Sequence, residues 1–182
     1  MKRILILGPS GSGKTTLAEK IGHILQIPVI HLDQHYWTAG WIETPKNEWH
    51  QKVRNLIFGD SWVMDGNYTS TLVMRSKAAD TMIFIRSPRR LSYLRAFQRI
   101  FRNYGRNRPD LPEGCPERID IEFLKYIWNY PRAKGPQILN FLKRLQTEKK
   151  IYILSNRHEV ERFLIFLKNN NNFSLSNLEK TS

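Results

Sequence analysis

Cysteine is almost absent from this chain: Cys115 is the only one in 182 residues. That excludes a disulfide framework and any zinc site built from several thiolates, and it suits a reducing compartment. No apolar run approaches the ~20 residues that a membrane-spanning helix needs. The opening Met1-Lys2-Arg3 and the four apolar residues after it are too short for a secretory signal, and Gly8 follows at once. These absences lead us to expect a cytoplasmic protein with no membrane partner. Acids are scarce as well, with 16 Asp and Glu against 29 Lys and Arg and a formal net charge of +13. The scarcity is sharpest from Arg86 to Arg108, a window with eight arginines, no lysine and no acid. Arginine holds a phosphate with a planar fork and stays charged when desolvated. A partner that carries phosphates is therefore expected at this segment.

Short apolar runs recur at Arg3–Leu7, Ile27–Leu32, Trp62–Met64, Thr81–Ile85 and Ile151–Leu154. They are apolar on successive positions, as strands covered on both faces are. Helical patterns alternate with them. Leu17, Ile21, Ile24 and Leu25 share one face, and Val160, Phe163, Leu164 and Leu167 share another. Asn156 with Glu159 reads as a capping box, and Thr44-Pro45 as an N-cap opening a helix to about Phe58. The pattern predicts an α/β protein with a parallel sheet. From Pro88 to about Leu145 it reads as helix, a Pro/Gly-rich turn, then a helix bent or broken at Pro131. We expect one domain over residues 1–168, an arginine-rich helical lid inserted at about 88–135, and a flexible tail over 169–182.

The strongest signal is Gly8-Pro9-Ser10-Gly11-Ser12-Gly13-Lys14-Thr15, followed by Thr16. It fits the G-x-x-x-x-G-K-[ST] phosphate loop and sits between a buried strand and an amphipathic helix. Its glycines let consecutive amides face phosphate oxygens, and the helix N-terminus adds its dipole. Lys14 is expected to reach the β- and γ-phosphates, and the Thr15 hydroxyl to ligate Mg²⁺. The carboxylate for the metal is Asp33 or Asp65, since each follows an apolar strand at the ligand-binding edge of the sheet. Asp80 precedes its strand and reads as structural. His31-Leu32-Asp33-Gln34-His35-Tyr36-Trp37, with Trp41 nearby, reads as an acceptor pocket or as packed core. Asp33 or His35 would take a proton from an acceptor hydroxyl there.

The blocks GPSGSGKTT, HLDQHYW, WVMDGNY, AADTMIFI with SPRR, GCPERID with EFLKYIWNY, and ILSNRHEVERFL resemble the bacterial adenylate kinase-related proteins known as DNA topology modulation proteins. The resemblance runs from Met1 to about Leu167. It implies a nucleoside-monophosphate-kinase-like fold: a five-stranded parallel sheet in the order 2-3-1-4-5, with an arginine-bearing lid. Asp65-Gly66 falls where adenylate kinases carry an Asp-Gly before their acceptor-site Pro-Arg. Asn67-Tyr68 stands in place of that Pro-Arg, and the Thr-Gly-Asp-Met type of AMP motif is missing. Both departures count against AMP as the acceptor.

The expected chemistry is transfer of the γ-phosphoryl group of Mg-ATP to a small, nucleotide-like acceptor. The acceptor would lie between the segment with Asp33, His35, Trp37 and Trp41 and the segment with Gly66, Asn67, Tyr68 and Arg75. Arg95, Arg99 and Arg102 share one side of a helix and would supply the lid cation, with Leu94, Phe97, Ile100 and Phe101 packing on the body. Arg157, after the last strand, would lie over the adenine. Two other readings stay open: an ATP-using nucleic-acid-binding protein, and a nucleotide-regulated module with weak turnover. No helix-turn-helix, zinc finger or RNA-binding aromatic motif supports the former.

Overall fold

Five parallel strands form the spine of the molecule, with β1 (Arg3–Leu7) in the middle. The computed structural model describes the backbone of residues 1–179 and the side chains of residues 1–171. On one side of β1 lie β5 (Trp62–Asp65) and then β2 (Val29–His31). On the other lie β6 (Thr81–Ile85) and then β7 (Lys150–Leu154). Counted among themselves, these strands follow the expected order 2-3-1-4-5. The labels run higher because a two-stranded antiparallel hairpin, β3 (Trp37–Thr38) and β4 (Ile42–Glu43), intervenes in the chain.

The two faces of the sheet are apolar for one local reason: successive side chains of a strand point to opposite sides. Leu5, Leu7, Trp62, Met64, Met82 and Phe84 face a layer that includes α3 (Lys46–Leu56), α4 (Thr69–Ala78), α6 (Ile121–Ala133) and α7 (Gly135–Leu145). Ile4, Ile6, Val63, Ile83 and Ile85 face α1 (Lys14–Leu25) and α8 (Arg157–Glu179). α8 buries Phe163 and Leu167, the face read from its periodicity. A parallel sheet sandwiched this way exposes its C-terminal edge, where β1, β2 and β5 end side by side. No helix among the described residues is long and apolar enough to cross a membrane.

Local expectations meet the structure unevenly. Asp80 sits at the opposite edge, as read, and accepts the amides of Lys2 (2.7 Å) and Arg3 (2.8 Å). Asn156 Oδ1 accepts the Glu159 amide (2.9 Å), while Glu159 Oε2 takes the amide of Ser155 (2.7 Å). Thr44 is not the cap of α3. The hairpin brings it beside Tyr36, so its hydroxyl donates to Tyr36 O (2.6 Å), and Pro45 holds the cap position. Of the four residues of helix α5 (Arg89–Arg102) expected to pack on the body, Ile100 is buried, but Leu94, Phe97 and Phe101 are exposed, and Ser92 and Ala96 are buried in their place. The cause is close packing, because this helix crosses the glycine loop almost backbone to backbone and only small residues fit there. The helical backbone of α8 continues past Asn169 to Glu179, where a tail was expected, and Asn171 Nδ2 donates to Ile24 O (2.8 Å). The last three residues of that expected tail, 180–182, lie outside the described residues.

Candidate active site

The glycine loop leaves β1 at Leu7 and enters α1 at Lys14. Gly13 caps α1 in the left-handed region (φ 95°). Gly11 (φ 76°) lies so close to α5 that a Cβ there would collide with the Ser92 carbonyl oxygen. Only glycine serves at such positions. Lys14 is half-buried, and its Nζ donates to Pro9 O (2.9 Å) across the loop. Burial holds its pKa below the ordinary lysine value, against the opposing pull of Asp65 and Asp33. Ser10, Gly11, Gly13, Lys14, Thr15 and Thr16 line the cleft. Gly8, Pro9 and Ser12 do not, and they form the back of the loop.

The two candidate metal carboxylates take different places. Asp65 ends β5, is buried, and accepts the Thr15 hydroxyl at Oδ2 (3.1 Å). Its Oδ1 lies 2.6 Å from His31 Nδ1, and His31 Nε2 lies 2.7 Å from Glu19 Oε1. Burial would lower the His31 pKa, but the hydrogen bonds and charges of Asp65 and Glu19 outweigh it and raise it to about 9. A protonated His31 donates from both nitrogens and fixes the Asp65 carboxylate beside Thr15. Asp33 instead faces the second half of the cleft, where its Oδ1 accepts the Tyr68 hydroxyl (2.6 Å). Burial raises the Asp33 pKa, opposed by the Tyr68 hydrogen bond and by the charges of Lys14 and Arg108.

The second half is aromatic. Tyr36, Trp37, Trp41 and Tyr68 line it from one side, and Tyr126 and Tyr130 of α6 from the other. Trp37 and Trp41 meet edge to face at 5.4 Å, and Tyr36 packs on Tyr68 at 4.4 Å. Trp41 is held at φ 63° and donates from Nε1 to Pro116 O (2.9 Å). Gly66 and Asn67 also line the cleft. Asn67 is largely occupied elsewhere: Nδ2 donates to Gly8 O (2.9 Å), and Oδ1 accepts the Gly8 amide (3.2 Å) and the Tyr130 hydroxyl (3.2 Å). It therefore staples the phosphate loop to the end of β5.

Several expected site residues lie elsewhere. Arg75 is fully buried beneath the loop it was expected to share with the acceptor. It donates to the carbonyls of Gly66 (3.0 Å), Asn67 (2.7 Å) and Tyr68 (2.8 Å) and to the Thr71 hydroxyl (3.2 Å). This guanidinium replaces water for a turn buried within the protein, so it holds the turn and does not face the cleft. His35 does not line the cleft, whereas Asp33 does. Arg95 and Arg99 line the cleft, whereas Arg102 is exposed outside it. The three share a side of α5, but seven residues of helix carry Arg102 about 10 Å further along the axis than Arg95. Arg157 lies at the surface, paired with Glu161 Oε1 (2.7 Å), and is not among the residues lining the cleft.

The segment after α5 adds to the cleft Arg108, the last of the eight clustered arginines, together with Asp110, Glu117 and Arg118, which were not singled out as site residues from the sequence. Their signal lay inside the turn-rich run from Arg108 to Asp120, where glycine and proline identify a loop without showing where its side chains go. The whole cleft forms one cavity of about 940 Å³. Among the described residues, no cluster of three or more His, Cys, Asp or Glu side chains is placed to hold a metal by itself. A glycine loop with left-handed backbone at Gly11 and Gly13, a half-buried ammonium lining the cleft and a Thr15–Asp65 pair do suit a phosphate chain with Mg²⁺. That ion takes few protein ligands and completes its shell with phosphate and water.

These features define an α/β fold with a phosphate loop at the C-terminal edge of a five-stranded parallel sheet. No family model and no curated protein sequence matches the chain. Solved structures do. The fold is similar to a gluconokinase from Sinorhizobium meliloti 1021 (TM-score 0.54, 16% identity, covering 100% of this chain and 97% of that one). It is also similar to a shikimate kinase from Acinetobacter baumannii in complex with shikimate (TM-score 0.59, 14% identity, 97% and 94% covered). A shikimate kinase from Bacteroides thetaiotaomicron aligns with TM-score 0.50 and 18% identity over 92% and 97% of the two chains.

Proposed function

We propose that this protein transfers the γ-phosphoryl group of Mg-ATP to a hydroxyl group of a small-molecule acceptor. The observation that carries this reading is the continuity of the cleft: Lys14 and the Thr15–Asp65 pair stand at one end, and Asp33 with an aromatic wall at the other. Thr15 and Asp65 would hold Mg²⁺, which supplies charge neutralisation of the phosphate chain. Lys14, released from Pro9 O, neutralises the transferring group. Asp33, half-buried and already oriented by Tyr68, accepts the proton of the acceptor hydroxyl while the hydroxyl oxygen forms the new bond to phosphorus and the bond to ADP breaks. Desolvation raises the basicity of Asp33 and excludes water that would otherwise hydrolyse ATP.

The structural neighbours named for gluconate and shikimate support a small hydroxylated acceptor. The rings of Tyr36, Trp37, Trp41 and Tyr126 support one with a flat group to stack, in keeping with a nucleotide-like acceptor and the adenylate kinase-related resemblance. The test is ADP formation by the purified protein across a panel of nucleosides, nucleoside monophosphates and small polyols. One class of acceptor is expected to raise ADP formation well above the rate with ATP alone. Lys14→Ala is expected to abolish that turnover with an unchanged far-UV circular dichroism spectrum. A folded Lys14→Ala protein with full turnover would overturn the reading.

A further inference from the structure

Glu117 holds two arginines with one oxygen. Its side chain is 5% exposed, and its Oε1 lies 3.1 Å from Arg99 Nε and 2.8 Å from Arg108 Nε. Its own backbone is tied down, since Glu117 O accepts the Gly105 amide (2.9 Å) and Glu117 N donates to Arg106 O (2.9 Å). Arg108 Nη1 also meets Asp110 Oδ2 at 3.2 Å. Arg99 is thus held from behind by a hydrogen bond at Nε, and Arg108 by an ion pair with the same oxygen that leaves its Nε without a hydrogen bond; both side chains line the cleft together with Lys14. A guanidinium held at Nε keeps its outer N–H groups for a second partner, and those groups match the spacing of phosphate oxygens. The cations repel one another: Arg99 is depressed by burial and then by Arg108, and Lys14 feels the charge of Arg99. Without a carboxylate behind them they would swing apart into solvent.

We infer that Glu117 is a positioning residue that sets Arg99 and Arg108 edge-on as a fork for the terminal phosphoryl group of a bound nucleoside triphosphate. This rests on the phosphoryl-transfer reading of the cleft. It also assigns a binding role to Arg108, which lies outside the arginine helix itself.

The measurement is calorimetric binding of Mg-ADP and of a nonhydrolysable Mg-ATP analogue to the full chain. The ratio of the two affinities is the readout. Loss of any carboxylate raises the positive potential for both nucleotides, and the ratio largely cancels that gain. Wild type is expected to favour the triphosphate. Arg108→Ala and Glu117→Ala are each expected to lower that preference about tenfold, the weight of one charge-assisted contact, with Mg-ADP affinity held within about twofold. Glu117→Gln retains an acceptor for Nε and is expected to recover at least part of the preference, and it covers the case in which the alanine variant does not fold. An unchanged ratio in Arg108→Ala, or a triphosphate preference in the glutamine variant above that of wild type, would overturn the inference while leaving the kinase reading intact. Wild type that binds neither nucleotide would overturn both.

Discussion

The floor and the roof of the cleft are held in different ways. The floor joins neighbouring strand ends through buried and half-buried side chains: Asn67 to both polar groups of Gly8, Thr15 to Asp65, Asp65 to His31, and Arg75 beneath the Gly66–Tyr68 turn. The roof joins the hairpin of β3 and β4 to the loop after α5 through contacts at the rim. Gly40 N donates to Gly114 O (2.7 Å), Trp41 Nε1 to Pro116 O and Cys115 Sγ to Thr38 O (3.1 Å), and Gln34 reaches Pro109 O. Buried polar groups in the floor have no water to fall back on, so breaking one contact leaves an unsatisfied partner. Fewer side chains tie the hairpin to the roof loop, and the Gln34 contact with Pro109 O is exposed and replaceable by water. The floor is therefore built for one geometry, and we propose that the roof is the part that opens.

The largest expected effect breaks the floor without touching the chemistry. Arg75→Met removes the donor to three carbonyls and a hydroxyl, and should lower the unfolding free energy in urea by about 3–5 kcal/mol. A loss under 1 kcal/mol would mean that water satisfies the turn. Asp65→Asn comes next. It keeps the shape of the floor but removes its charge, and Mg²⁺-dependent turnover should fall by about 100-fold with the fold retained. Turnover equal to wild type would remove Asp65 from the metal site.

Trp41→Phe sharpens the contrast from the roof. It deletes one N–H donor to Pro116 O and should cost about 1 kcal/mol locally. Faster proteolysis between residues 105 and 114, with an unchanged global urea midpoint, is the expected outcome. A matching drop in the global midpoint would show that roof and floor unfold together. The smallest effect is a pH dependence at the far edge of the sheet. Burial pushes the Asp80 pKa up, but the Thr81 hydroxyl and the amides of Arg3 and Lys2 outweigh it and hold it below the ordinary value. Its contribution to stability is therefore present above the unfolded-state pKa near 4 and is lost as pH falls through the lower folded value. Exposure keeps this to below about 1 kcal/mol. Asp80→Asn should flatten that part of the acid limb in pH-dependent thermal denaturation.

The floor was far more legible from the amino-acid sequence than the roof. Phosphate loop, flanking strand and helix are contiguous, so Gly8 to Thr16 could be placed by spacing alone. Asp33 and Asp65 could be placed at the correct sheet edge because each directly follows a strand. Their division of labour could not, because it depends on Thr15, His31 and Tyr68 arriving from other elements. Arg75 misled because a cation near a binding loop reads as a ligand, and nothing local shows that the loop closes over it. On α5 the arginine spacing was visible, but the inward face was not. Apolar residues were expected to pack, yet the glycine loop admits only Ser92 and Ala96 at the contact.

Linear order was enough to specify a parallel α/β sheet with a phosphate-binding turn at its C-terminal edge, because alternating apolar strands, helix periodicity and glycine freedom act over a few residues. Folding alone selected Arg99 and Arg108 over Arg102, set Glu117 behind them, and drew Trp41 to Pro116 across 75 residues of chain. Such contacts depend on how two remote segments meet, and that meeting is set by the packing of the whole body.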